Sequence, residues 1–126
     1  LEVRMNIPSG DVIDRFSIVK LKMERDKDTP LEEYEAFNSG FEEIKSKYPH
    51  IDWEMLFDIA YRANGVIWDL ESAIRTAQLD DNLMEVGKRS VWIRKVNGIR
   101  VGIKNFVNHL TKEGYTEIKH KDHISR

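Results

Sequence analysis

The chain has 126 residues, 40% hydrophobic and 33% charged, long enough to bury a core and too apolar for a disordered segment. Its 20 basic and 22 acidic residues leave a net charge of −2, so no basic excess points to nucleic acid, which is not an expected partner. It has no cysteine, which excludes disulfides, thiol catalysis and thiolate-held metal. No run approaches the eighteen or so apolar residues of a membrane span, and the opening LEVRMNIPSG lacks the apolar centre of a signal peptide. The expectation is a cytoplasmic protein with no membrane attachment.

In chain order, residues 2–7 alternate loosely and predict a short strand, broken by Pro8-Ser9-Gly10. A first helix is expected over about 11–27, capped by Ser9 or Asp11. Val12, Ile13, Phe16, Val19 and Met23 make its main apolar face, with Ile18 and Leu21 on the opposite side. A second helix is expected over 30–48, started by Thr29 and Pro30, with Tyr34, Phe37, Phe41, Ile44 and Tyr48 on one face. Asp52 caps a third, reaching about 77, whose core stripe is Leu56, Ile59, Ala63, Val66, Leu70 and Ile74.

After the turn at 79–82 a fourth helix is expected over 82–112, with Val86, Ile93, Val96, Ile103, Val107 and Leu110 inward. Gly98 and Gly102, four residues apart, suggest close packing or a bend within it. Gly114 is expected to end it, and residues 115–120 alternate like a strand able to pair with 2–7. The architecture predicted is a single all-α domain over residues 1–126: a bundle of four helices with a minor two-stranded terminal β-ribbon. Helices apolar on two sides suggest a homo-oligomer.

The candidate site comes from polar residues at helical spacing beside apolar ones. On the third helix Asn64, Trp68, Glu71 and Arg75 form a second stripe continuing Phe57 and Tyr61. Asn97, Arg100 and Lys104 share a stripe on the fourth helix. On the first, Ser17, Lys20 and Glu24 align, beside the line of Asp14, Ile18, Leu21 and Arg25. Solvated faces do not carry Trp68 and Tyr61, and cores do not hold unpaired cations. Two solutions follow. One is an internal salt-bridge network, with Glu71 pairing Arg100 or Lys104, Glu24 pairing Lys20 or Arg25, and Asp14 pairing Arg75. The other is a cleft whose cations meet an anionic ligand while Trp68 walls or stacks on its ring.

Lys22, Lys45, Lys47 and Lys88 read as solvated, Trp53 and Trp92 as packing or interface aromatics. His50, His109, His120 and His123 lack the spacing of a zinc site, and no phosphate-binding glycine loop or nucleophile elbow occurs, so no metal or cofactor is expected.

Three segments carry a resemblance: SGDVIDRFSIVKLKMER at 9–25, ANGVIWDLESAIR at 63–75 and RSVWIRKVNGIRVGIKNFVN at 89–108. Together they resemble a family of small uncharacterised bacterial and phage proteins, whose bacterial members are associated with sugar-transfer genes. By position the resemblance marks Asp14, Arg15, Lys22, Glu24, Arg25, Asn64, Trp68, Glu71, Asn97, Arg100 and Lys104. Ser72 and Gly98 stand where the family usually has acidic residues, and Asn105 and Phe106 disturb the end of its last motif, which would fit binding without turnover.

The leading expectation is a protein that binds a small anionic or phosphorylated molecule, a nucleotide, signalling nucleotide or nucleotide-sugar, as in sequestration by a phage protein. Arg75, Arg100 and Lys104 would meet phosphate, and Asn64 and Asn97 would read polar edges. Glu71 and Asp14 would orient the cations. Two alternatives stand beside it. VIDRFSIVKLKMERD also resembles the first helix of the all-helical chorismate mutases, which implies an enzyme on an anionic substrate, with Arg15 and Lys20 among its cations. The other is a structural or protein-interaction module built on a buried salt-bridge network.

Overall fold

A computed structural model of the chain describes residues 7–26 and 28–113. They form four helices: α1 (Ser9–Arg25), α2 (Leu31–Lys47), α3 (Trp53–Arg75) and α4 (Leu83–Thr111). The all-α architecture and the order of its elements match the apolar periodicity. The expected terminal ribbon lies, but for Ile7, outside the described residues, and α4 ends at Thr111 with Lys112 as its left-handed cap, before the stop expected at Gly114.

The α1 helix is the hub, packing against α2, α3 and α4, while α3 and α4 pack on each other as a hairpin. This explains its two apolar sides. Val12, Ile13, Phe16 and Val19 are buried, and so is Leu21 on the opposite side. Around Phe16 lie the rings of Tyr34, Phe41 and Phe57, with centroids 5.2–5.6 Å away and tilted, the geometry aromatic quadrupoles favour. Phe41 and Ile44 bring α2 to this cluster, and Trp53 closes it, its indole N–H donating to the Tyr48 carbonyl at 2.7 Å.

The helix ends show where local chemistry acts. Asp52 and Asn82 cap α3 and α4 by accepting from the amides of Met55 and Glu85, both at 3.1 Å. In contrast, α1 begins at Ser9, two residues earlier than expected, behind Pro8. The Ser9 hydroxyl does not cap; it donates to Glu113 Oε2 at 2.7 Å and ties the first turn of α1 to the end of α4. Pro30 precedes α2 without a side-chain cap. Left-handed residues end the two long helices, Ala77 (φ 61°) after α3 and Lys112 (φ 56°) after α4, where the chain turns without glycine.

Close helix approach occurs at Gly10 and not at Gly102. A Cβ on Gly10 would lie 2.2 Å from the Lys104 carbonyl oxygen, whereas one on Gly102 would meet nothing within 4 Å. The Gly10 amide donates to Asn108 Oδ1 at 2.7 Å, and Asn108 is buried. Absence of a side chain at Gly10 thus lets α1 and α4 touch backbone to side chain. Two core expectations also fail: Val66 is 46% and Leu110 40% exposed, on the sides of α3 and α4 that no other described helix covers. No helix is long and apolar enough to cross a membrane among the described residues.

Gly10→Ala forces backbone apart at the α1–α4 contact, and overpacking of this kind costs about 1–3 kcal/mol. Urea denaturation is expected to show a loss in that range; an unchanged midpoint would contradict the contact.

Candidate functional site

Where α1, α3 and α4 meet, the interface is polar. Ser17, fully buried, donates its hydroxyl to the Asp14 carbonyl at 2.7 Å, the back-bond a serine makes within a helix. This leaves Ser17 Oγ as an acceptor, which Asn64 Nδ2 on α3 fills at 2.8 Å. The same amide reaches Asp14 Oδ1 at 3.2 Å. From α4, Arg100 sets Nε 3.3 Å from that carboxylate oxygen. The Asp14 side chain is 12% exposed, so its charge is compensated by one amide and one guanidinium contributed by two different helices.

In front of this network lies a cavity of about 250 Å³, lined by Ile18, Leu21 and Lys22 of α1, Asn64, Ile67, Trp68, Glu71 and Arg75 of α3, and Arg100 of α4. The Arg75 guanidinium sits 5.4 Å from the Trp68 ring centroid and 3.8 Å from Glu71. The indole face is therefore covered by a cation, and Glu71 pairs within its own helix. Lys22 has no ion-pair partner among the described residues. Lys22, Arg75 and Arg100 face Glu71, with Asp14 behind, which leaves one positive charge in excess.

Of the expected site residues, Asp14, Asn64, Trp68, Glu71, Arg75 and Arg100 come together here. The others do not. Arg15, one position past Asp14, points to solvent. Lys20 lies over the rings of Phe57 and Tyr61, its ammonium 5.4 Å from each centroid, outside the cavity lining. Glu24 accepts a hydrogen bond from the Tyr61 hydroxyl. Arg25 pairs with Asp69 across α1 and α3. Asn97 and Lys104 are half-buried on α4 and do not line the cavity; the Lys104 backbone carbonyl instead abuts Gly10.

The pairings expected for the network are corrected throughout: Asp14 takes Arg100, Glu71 takes Arg75, and Glu24 takes Tyr61. Register decides this, because the α1–α4 contact at Gly10 sets Arg100, and not Arg75, level with Asp14. Lys22, read as a solvated lysine, stands in the cavity wall. Its signal was present, since it falls four residues after Ile18 and eight after Asp14 on the same line. Ser17 was placed on a polar stripe, but its role as the buried link between α1 and Asn64 was not anticipated.

No protein-family model matches this chain, and neither the curated proteins nor the solved structures contain a significant match to it.

Asn64→Leu keeps the volume but leaves Asp14 without its amide donor and Ser17 without its acceptor bond. A loss of about 1–3 kcal/mol in urea denaturation is expected, the cost of leaving buried polar groups unmet. A second expectation concerns Tyr61. Its hydrogen bond to Glu24, helped by partial burial, raises the phenol pKa above the usual 10.0. A raised folded value means the bond's contribution is complete below the ordinary tyrosine pKa and is lost as pH climbs through the folded value. Tyr61→Phe should remove the part of the phenolate absorbance rise that occurs above the ordinary tyrosine range; an unaltered titration curve would refute the bond.

Proposed function

We propose that the groove between α1, α3 and α4 binds a small anionic molecule through a phosphate or similar group. The observation that carries this is the convergence of Lys22, Arg75 and Arg100, one from each of the three helices, on one cavity where Glu71 is the only carboxylate among the described lining residues. Arg100 meets Asp14 through Nε at 3.3 Å, and the same side chain lines the cavity. A guanidinium held from behind and open in front is the arrangement that suits a planar, two-pronged contact with phosphate or carboxylate.

A volume of about 250 Å³ lies just under the range of roughly 300–1,000 Å³ typical of small-molecule sites. The enclosed part of the ligand is thus the phosphate and a neighbouring sugar or small ring, and the rest of a nucleotide or nucleotide-sugar would extend into solvent. Asn64, Ile67 and Trp68 supply the polar edge and apolar wall. Sequestering such a molecule needs no further chemistry.

A second reading has its own support. Asp14, Asn64, Ser17 and Arg100 satisfy one another, as a network that only holds helices together would. Lys22 separates the two readings because it contributes no ion pair within the described residues.

Thermal unfolding against inorganic phosphate, nucleoside monophosphates, cyclic nucleotides and nucleotide-sugars tests the proposal. A ligand at a hundred times its dissociation constant adds about 2.7 kcal/mol, a shift of several degrees for a chain of this size. In Lys22→Ala the unliganded melting temperature should stay within about a degree of wild type, while the ligand-induced shift falls, reflecting an affinity loss of roughly tenfold or more. No shift with any member of the panel would favour the purely structural network.

A further inference from the structure

Among the described residues, no helix covers the outer side of the α3–α4 hairpin, where several large apolar side chains are exposed. On α3, Phe57 and Asn64 meet α1, and the exposed Met55 and Val66 fall about half a turn round the helix from them. On α4, Arg100 and Asn108 meet α1, and Trp92, Ile99 and Phe106 lie on the far side, 57%, 54% and 50% exposed. Both helices turn these residues away from α1, so they share one face. A monomeric protein rarely leaves a patch of this kind uncovered.

We infer that this face is the contact between two copies of the chain, related by a twofold axis through Ile99 with the two α4 helices antiparallel. Three observations select a second copy as the occupant. The first is area. At these exposures Met55, Val66, Trp92, Ile99, Phe106 and Leu110 leave on the order of 600–700 Å² of surface on each copy, close to the roughly 800 Å² per partner of a stable interface.

The second is symmetry. Trp92 and Phe106 stand seven residues either side of Ile99, so an antiparallel pairing about Ile99 sets each Trp92 against the partner's Phe106 and Ile99 against itself. The third is charge. In that register Lys88 comes level with Leu110 of the partner subunit and Lys95 with Ile103 of the partner subunit, so no lysine meets a lysine. The Lys95 ammonium already lies over its own Trp92 ring at 5.1 Å, which leaves its aliphatic stem along the seam. Trp92, Ile99 and Phe106 lie about a quarter to a third of a turn round α4 from Arg100, and none of them lines the groove.

Light scattering coupled to size exclusion tests this on the full chain. The expected mass is twice the 14.8 kDa of one copy. Ile99→Asp is expected to halve the mass with unchanged helical circular dichroism, and Trp92→Glu serves as a second variant if the first folds poorly. Because the chain has no cysteine, Ile99→Cys gives an independent readout. Oxidation should convert most of it to a covalent dimer, while Glu32→Cys on the exposed side of α2 should stay monomeric in denaturing gels. A wild-type chain that is monomeric at its highest soluble concentration overturns the inference. In that case, a Trp92 emission shift on vesicles of phosphatidylcholine and phosphatidylserine would assign the face to a lipid surface. A dimer whose mass and cross-linking are indifferent to residue 99 overturns it as well.

Discussion

Asp14 places a carboxylate at the junction of three helices, and the described structure is arranged around keeping that charge satisfied out of water. An unpaired buried carboxylate would neutralise or unfold its surroundings. Here Asn64 and Arg100 arrive from α3 and α4 to the same oxygen, and Ser17 anchors the amide from below. The contact is directional, so it selects one register of α1 against each neighbour, which an interface of aliphatic side chains alone would specify less sharply. The backbone approach at Gly10 fixes the other end of the same α1–α4 interface. The groove is a by-product of this arrangement: the face of Arg100 turned from Asp14 is the face that, with Lys22 and Arg75, lines the cavity.

The fold was legible in the sequence wherever periodicity and capping spoke together. Asp52 and Asn82 lie at the helix starts that their side chains announce, and the apolar lines of α1 and α2 meet in the aromatic cluster. What periodicity could not supply is which neighbour a face meets. Val66 and Leu110 continue an apolar stripe by spacing, yet they are exposed because α2 packs on α1 and no described helix lies on the hairpin's outer side. Likewise Gly102 has the spacing of a close contact, but a Cβ there would meet nothing, and the contact is made by Gly10, whose significance appears only when α4 is laid across it. The Ser9 hydroxyl reads locally as a cap and is instead taken by a carboxylate more than a hundred residues away.

The site was legible as stripes and illegible as pairs. Spacing on single helices brought out Asn64, Trp68, Glu71 and Arg75, which do share a wall, and Asp14 with Arg100, which face each other. Spacing says nothing of the axial offset between helices, so the partners of Asp14, Glu71 and Glu24 were assigned to the wrong cations. Lys20 and Glu24 share a stripe that faces the Phe57–Tyr61 rings and not the cavity, while Arg25, at the end of the Asp14–Ile18–Leu21 line, reaches past the cavity to Asp69. Lys22 is marked by the resemblance but reads as solvated by spacing, because a lysine among charged residues on a helix ordinarily ends in solvent, and only the third helix beside it makes a wall of that position.

The Asp14–Arg100 contact couples α1 to α4 energetically and is more than a crossing of two long side chains. A double-mutant cycle on folding stability, with Asp14→Ala, Arg100→Ala and both together, tests it most directly. If the contact holds the helices, the two changes are strongly non-additive, with a coupling energy of about 1–3 kcal/mol, as groups in one network show. Single changes that add to within about 0.5 kcal/mol would mean the two residues act independently, and the account of this interface would be wrong.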